Sequence, residues 1–263
     1  MLFGKTILVT GVASGIGART AELASQLGAD VIGVDIQPRR ARSATSSRPM
    51  SARRRASPGW STACRRGWTR SATSPACPAR AGSRRRWRST STACALTEAL
   101  APRLREGGAV VNAASIAGFG WRANLSRAQR MVEGPGFPAD LAALAAKHEA
   151  GDEIGYPLSK ELLLLWTFRA AHQPLFKARG IRVNAVSPGP VETPILTQFR
   201  AVLGDARVDG DIGRVGRAGT AGDIAPAIAF LCSDGARWIN GVNLPVDGGL
   251  EASVNADALG FAA

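Results

Sequence analysis

The feature that most constrains this chain is a strand, a glycine turn, a helix and a second strand compressed into its first thirty-five residues. Thr6-Ile7-Leu8-Val9-Thr10 is a short β-branched run, the mark of a buried strand. It feeds into Gly11-Val12-Ala13-Ser14-Gly15-Ile16-Gly17. Beyond that, Ala18, Ala21, Leu23, Ala24 and Leu27 keep helical spacing as far as Gly28, a C-terminal cap. Val31-Ile32-Gly33-Val34 is a second strand, closed by Asp35. Each part suits a dinucleotide. Gly11 permits the tight turn, Gly15 lets a pyrophosphate approach the backbone, and Gly17 allows helix and strand to pack closely. The helix N-terminus around Ser14 and Ile16 offers unpaired N–H groups and the positive end of the dipole. Asp35 is placed to accept both ribose hydroxyls of an adenosine and would repel a 2′-phosphate, so NAD is favoured over NADP. A glycine-rich loop by itself is weak evidence, an ordinary turn being the plain alternative; the βαβ context and the acid make it specific.

At 263 residues the chain can form one large α/β domain with a buried core. Its densest apolar run, Leu162 to Trp166, falls far short of a membrane span. With no signal-peptide pattern and four scattered cysteines, the expected setting is the cytoplasm. The net charge of +13 would ordinarily suggest nucleic acid. Its location argues otherwise. Residues 38–94 contain fifteen arginines and no Lys, Asp or Glu, so the remainder carries 13 − 15 = −2.

That same stretch has no Val, Ile, Leu, Phe or Tyr, yet holds Trp60, Trp68, Trp87, Cys64, Cys77 and Cys94. Without branched aliphatics it is not expected to supply buried parallel strands. Three explanations compete: a disordered Arg-rich arm, an RNA-binding segment that stacks bases on tryptophan, or a stretch read in the wrong frame. The frame error is favoured, because Arg, Ala, Pro, Ser, Gly and Trp are what GC-rich DNA encodes out of frame. Translation of the DNA in the other two frames would restore Val/Ile-rich strands if this is correct.

Two further clusters carry chemistry. Gly107 to Ser115 reads as a turn and a buried strand with Ser115 at its end, where open parallel sheets bind ligands. A helix or turn cap is the plainer role for that serine. Tyr156 and Lys160, at i and i+4, share a helical face, and a cation beside a phenol favours the phenolate. No histidine or cysteine spacing suits a metal, and none is expected.

Taken in order, Thr10-Gly11, Gly15-Ile16-Gly17, Ser115, Tyr156 with Lys160, Ile181 to Gly189 and Val246-Asp247-Gly248-Gly249 resemble the short-chain dehydrogenase/reductase family. The resemblance covers residues 1–36 and 96–250. It implies a single-domain, Rossmann-like doubly wound α/β fold and alcohol–carbonyl oxidoreduction with NAD. It also implies Tyr156 as acid or base, Lys160 as its partner and ribose ligand, and Ser115 on the substrate oxygen. Pro188, Gly189, Val191 and Thr193 would hold the carboxamide. The family's Asn-Asn-Ala-Gly strand end and a further catalytic asparagine are missing, since no Asn precedes Asn112. Two other readings stand beside the enzyme: an anionic-partner binder using 38–94, and an inactive dinucleotide-binding member.

The forty-one residues from Ser115 to Tyr156 exceed the usual family gap, so 119–154 reads as a helical insert, either a lid or a surface elaboration. Trp121 and Phe137 would suit an aromatic or steroid-like substrate, although packing is the commoner use of such residues. The long insert, Gly189 to Leu196 and Arg237 to Gly249 resemble the group of bacterial coniferyl-alcohol and 3α-hydroxysteroid dehydrogenases. That points to a small alcohol or carbonyl on a hydrophobic skeleton. The Lys160 helix continues Leu162 to Phe168 and is apolar around much of its circumference. Pairing with the same helix of a second copy, as a homodimer or homotetramer, is one expectation. Two faces within one core is the other. Thr193 to Asp211, with few strand signals, reads as a mobile loop closing over substrate.

Overall fold

A computed structural model describes residues 1–35, 68–73, 83–126, 129, 152–197, 200 and 204–261, with the backbone alone at 68–73, 83–89, 91 and 152–154. Among these, six strands form one sheet: β1 (Thr6–Thr10), β2 (Asp30–Val34), β3 (Trp68–Thr73), β4 (Leu104–Ala113), β5 (Arg182–Pro188) and β6 (Asn243–Val246). Their order is β2-β1-β3-β4-β5-β6 and every neighbouring pair is parallel. The helices are α1 (Gly15–Gln26), α2 (Ser83–Leu100), α3 (Asp152–Ala170), α4 (Pro174–Lys177), α5 (Asp205–Val215), α6 (Ala221–Leu231) and α7 (Leu250–Ala258).

Successive strand residues point to opposite sides, and both sides are buried. Leu8, Val110, Val183 and Ala185 join a core with Leu158, Leu162, Leu163 and Trp166 of α3 and Cys94 of α2. Ile7, Val9, Val111 and Val186 join another with Ala21 and Ala24 of α1 and Ile224 and Ile228 of α6. This is the doubly wound arrangement expected. The chain passes from β1 outward to β2, then returns to β3 on the other side of β1. That reversal opens a crevice beyond the carboxyl ends of the strands.

The expectation that 38–94 supplies no buried parallel strand is overturned at β3. Leu8 and Val110 both pair with Ser71, so β3 lies between β1 and β4. Ladder bonds are made by main chain, which a run without branched aliphatics carries like any other. The end of the segment also belongs to the core: Thr90, Ala93 and Cys94 of α2 are buried. Residues 38–67 and 74–82, with Arg39, Arg40, Cys64 and Cys77, lie outside the described residues. So do most of the expected insert, 127–128 and 130–151, with Phe137 and His148.

Helix α3 buries Leu162, Leu163, Leu164 and Trp166 within the chain, while Leu165 and Phe168 pack half-buried against the same core. One other expectation changes. The expected loop between Thr193 and Asp211 contains the start of α5. Gly204 and Gly216, at φ +86° and +82°, bracket that helix; Asp205 sits in its first turn and Arg214 in its last, matching the dipole. Val208 is its buried contact.

The Ile181 to Gly189 motif also has a structural job. Arg182 Nη2 donates to the carbonyls of Leu231 and Ser233, at 2.9 and 3.1 Å. Asn184 Nδ2 donates to Ile239 O at 2.9 Å, and its Oδ1 accepts from Val242 N–H at 3.0 Å. These bonds tie β5 to the segment before β6. Among the described residues, no helix is long and apolar enough to cross a membrane.

Candidate active site

The turn after β1 is built by glycine. Gly11 takes φ +75°, a left-handed conformation that side chains resist. A Cβ on Gly17 would stand 2.2 Å from Gly11 O, so α1 approaches β1 as closely as backbone allows. Ser14 begins α1 in an extended conformation with no side-chain cap bond, leaving the first helical N–H groups to face the crevice. Asp35, at the end of β2, accepts the Ala13 N–H on Oδ2 at 2.8 Å.

Ser115 follows β4. It caps the short 3₁₀ helix Ile116–Arg122, its Oγ accepting from Ala117 N–H at 3.2 Å. The plainer role foreseen for it is therefore real. The bond still leaves the hydroxyl proton available, because Oγ acts only as acceptor in it. Tyr156 and Lys160 share a face of α3, with Lys160 Nζ 5.6 Å from the centroid of the Tyr156 ring. The same ammonium donates to Ala113 O at 2.9 Å, which fixes α3 against the end of β4. Two contacts hold that geometry. Asn112 Nδ2 donates to Thr167 Oγ1 at 2.9 Å. Gly118 packs so closely on α3 that a Cβ there would meet Lys160 C and Leu164 Cδ1 at 3.1 Å.

These elements surround a cleft of about 560 Å³. The cleft brings together Ser14, Gly15, Ile16, Gly17, Ser115, Tyr156, Lys160, Pro188, Gly189, Val191 and Thr193. Gly11 and Asp35 stand outside its lining, behind the turn and at the tip of β2. Gly189 passes 3.0 Å from Asp247 when given a Cβ, so the Pro188-Gly189 turn has room for hydrogen only. Asp247 in turn accepts from Gly249 and Glu251 N–H, at 2.9 and 2.7 Å, and organises the start of α7.

Some lining residues carried no readable signal. Phe119, Ile195, Leu196 and Val208 supply an apolar wall, and Glu161 and Glu251 supply carboxylates. Glu161 stood out in principle as a charge directly before the run Leu162 to Trp166, on a helix whose neighbouring turns are buried. Burial and Asp247 push the Glu251 carboxyl up, opposed by Arg122. Trp121, foreseen as a substrate contact, packs on Phe168 of α3 with ring centroids 5.2 Å apart and carries the Arg122 guanidinium 4.4 Å from its own. Packing is its observed use. Among the described residues no group of side chains is arranged to hold a metal.

The enoyl-(acyl carrier protein) reductase family matches residues 123–251. A coniferyl-alcohol dehydrogenase from Pseudomonas sp. is 35% identical over 263 residues, covering 96% of this chain and 98% of the relative. The chain belongs to the short-chain dehydrogenase/reductase family. The crystal structure of a 3α-hydroxysteroid dehydrogenase from Pseudomonas sp. complexed with NADH is similar at TM-score 0.72 and 27% identity, covering 96% of this chain and 99% of that one. The (−)-isopiperitenol/(−)-carveol dehydrogenase of Mentha piperita is 39% identical over 129 residues, 47% of this chain and 48% of the relative. As a short-chain dehydrogenase/reductase the protein is an oxidoreductase of alcohols, which uses a nicotinamide dinucleotide and takes a small-molecule substrate.

Proposed function

We propose that this short-chain dehydrogenase/reductase interconverts an alcohol and a carbonyl on a hydrophobic skeleton, of the coniferyl-alcohol or hydroxysteroid kind, using NAD. The observation that carries the reading is the convergence of Tyr156, Lys160 and Ser115 on one cleft with the N-terminus of α1. The dinucleotide fits this chain: the close approach of Gly17 to Gly11 and the uncapped start of α1 leave a cradle of main-chain donors for a pyrophosphate. Asp35, its carboxylate oriented by Ala13 N–H, would take the adenosine ribose hydroxyls, which favours NAD over NADP. Gly189, Val191 and Thr193 would hold the carboxamide. When bound, the nicotinamide supplies a hydride acceptor or donor.

The chain's own residues then handle the proton. Tyr156 Oη takes it from the alcohol in oxidation or returns it to the carbonyl oxygen in reduction. The Lys160 ammonium, 5.6 Å from the phenol ring centroid, favours the phenolate by its charge. Ser115 Oγ–H donates to the substrate oxygen and steadies the charge that develops there. Phe119, Ile195, Leu196 and Val208 exclude water from the reacting carbon. The coniferyl-alcohol and 3α-hydroxysteroid dehydrogenases among its relatives support a ring-bearing alcohol.

The test is NADH formation at 340 nm with a panel of aromatic alcohols and hydroxysteroids. Tyr156→Phe should lower turnover roughly 10²–10⁴-fold, the usual worth of a positioned acid or base, and spare dinucleotide binding. Unchanged turnover in that variant refutes the mechanism, and dinucleotide binding without turnover of any alcohol favours an inactive sensor.

A further inference from the structure

We infer that Glu161 is a specificity-determining residue: its carboxylate accepts a hydrogen bond from a second hydroxyl on the substrate, remote from the reacting carbinol. The inference deepens the dehydrogenase reading above and rests on it. Glu161 is only 3% exposed and lines the cleft. Its Oε1 accepts from Asn124 Nδ2 at 2.8 Å. Its Oε2 is buried with no hydrogen-bond partner, and among the described residues it is the one buried side-chain polar atom left so. A bare carboxylate oxygen withheld from water is costly, so such an atom persists where a ligand completes it.

The position fits a remote hydroxyl. Glu161 lies about 7.5 Å further along the axis of α3 than Tyr156, one residue past Lys160. It faces the 3₁₀ helix Ile116–Arg122, where Gly120 makes room: a Cβ there would stand 3.1 Å from Glu161 Oε1. The bond to Asn124 fixes the carboxylate's rotation, so Oε2 is held in one place. Around it the wall is apolar at Phe119, Ile195 and Leu196, and offers a polar ligand group few other partners. Lys160 and Arg207 offset much of the negative charge that Glu161, Asp211 and Glu251 bring to the cleft lining. A neutral O–H donor, such as a phenol, is the chemistry that completes the site.

The experiment compares coniferyl alcohol with its 4-O-methyl ether, which keeps the skeleton and loses the phenolic donor. The wild-type chain should favour the phenol by about ten-fold or more in kcat/KM, as expected for a hydrogen bond to a charged acceptor. Glu161→Ala should bring that ratio close to one. Glu161→Gln, nearly isosteric, should lower it in a chain whose packing is preserved. A merely structural brace between Glu161 and Asn124 would affect both substrates alike, so an unchanged ratio in both variants overturns the inference. Calorimetric binding of the same pair to the dinucleotide-loaded protein reads the preference without turnover. Preferential binding of the phenol without turnover would refute the dehydrogenase reading and sustain the role of Glu161. Turnover of both compounds without preference would do the reverse, and binding of neither compound overturns both.

Discussion

Replacing Gly17 by alanine should weaken dinucleotide binding and stability together, and the size of the effect follows from three distances. A Cβ at this position lies 2.2 Å from Gly11 O, 2.7 Å from Gly11 C and 2.9 Å from Thr10 O. Ordinary contact begins near 3.4 Å, so the start of α1 must back away from the turn by 3.4 − 2.2, about 1.2 Å. All three atoms are main chain, and no side chain can rotate aside. Ala21 and Ala24, 0% and 1% exposed, would be pulled from the layer they share with Ile224 and Ile228. Overpacking of this kind costs about 1–3 kcal/mol, and the rigidity of the obstacle places Gly17→Ala at the upper end. For a domain of this size that lowers Tm by roughly 6–12 °C. The N–H groups of the first turn retreat by the same distance, which takes a bond of about 2.9 Å beyond hydrogen-bonding range. NADH binding, followed by its fluorescence, should weaken at least about ten-fold. Gly107→Ala is the control. Gly107 has φ +67° with nothing within 4 Å of its Cβ position, so the variant should lose about 1–2 kcal/mol to backbone strain and bind NADH normally. Wild-type NADH affinity in Gly17→Ala would refute the reasoning.

Two further outcomes are expected. Ser115→Ala removes a cap and a substrate donor at once: it should cost about 1 kcal/mol in denaturant unfolding and roughly 10²–10³-fold in kcat, and the two effects separate because Ser115→Asp keeps a cap acceptor but has no hydroxyl to donate. Glu251, whose carboxyl is raised in the fold, opposes folding once it must ionise. Below its ordinary value of 4.5 both states are protonated, and the penalty grows as pH climbs from there to the higher folded value. Glu251→Gln should therefore raise the denaturation midpoint at pH 7 and leave it unchanged at pH 3.5.

The first βαβ unit was legible because each element announces itself: β-branched strands, alanines at helical spacing, and glycines where backbone meets backbone. The positions of Tyr156 and Lys160 followed from a helical repeat, and that of Ser115 from the end of a buried strand. β3 was not legible, since hydrogen bonding by main chain leaves no trace in Trp68–Thr73 that separates a strand from an arm. Helix α5 was missed because its single buried contact, Val208, gives almost no periodic signal, and its cues are the two flanking glycines. The apolar run in α3 was read correctly as excess hydrophobicity, but a sequence cannot say whether the second face meets the same chain or another copy. The role of Trp121 was settled by Phe168, forty-seven positions away.

Helix α3 supplies Leu158, Leu162, Leu163, Leu164 and Trp166 to the core on one side of the sheet and also carries Tyr156 and Lys160. Heating therefore has no gentle way to silence the enzyme: the groups that do the chemistry cannot fray loose while the interior survives. Loss of catalytic rate and loss of tertiary signal should trace a single superimposable transition.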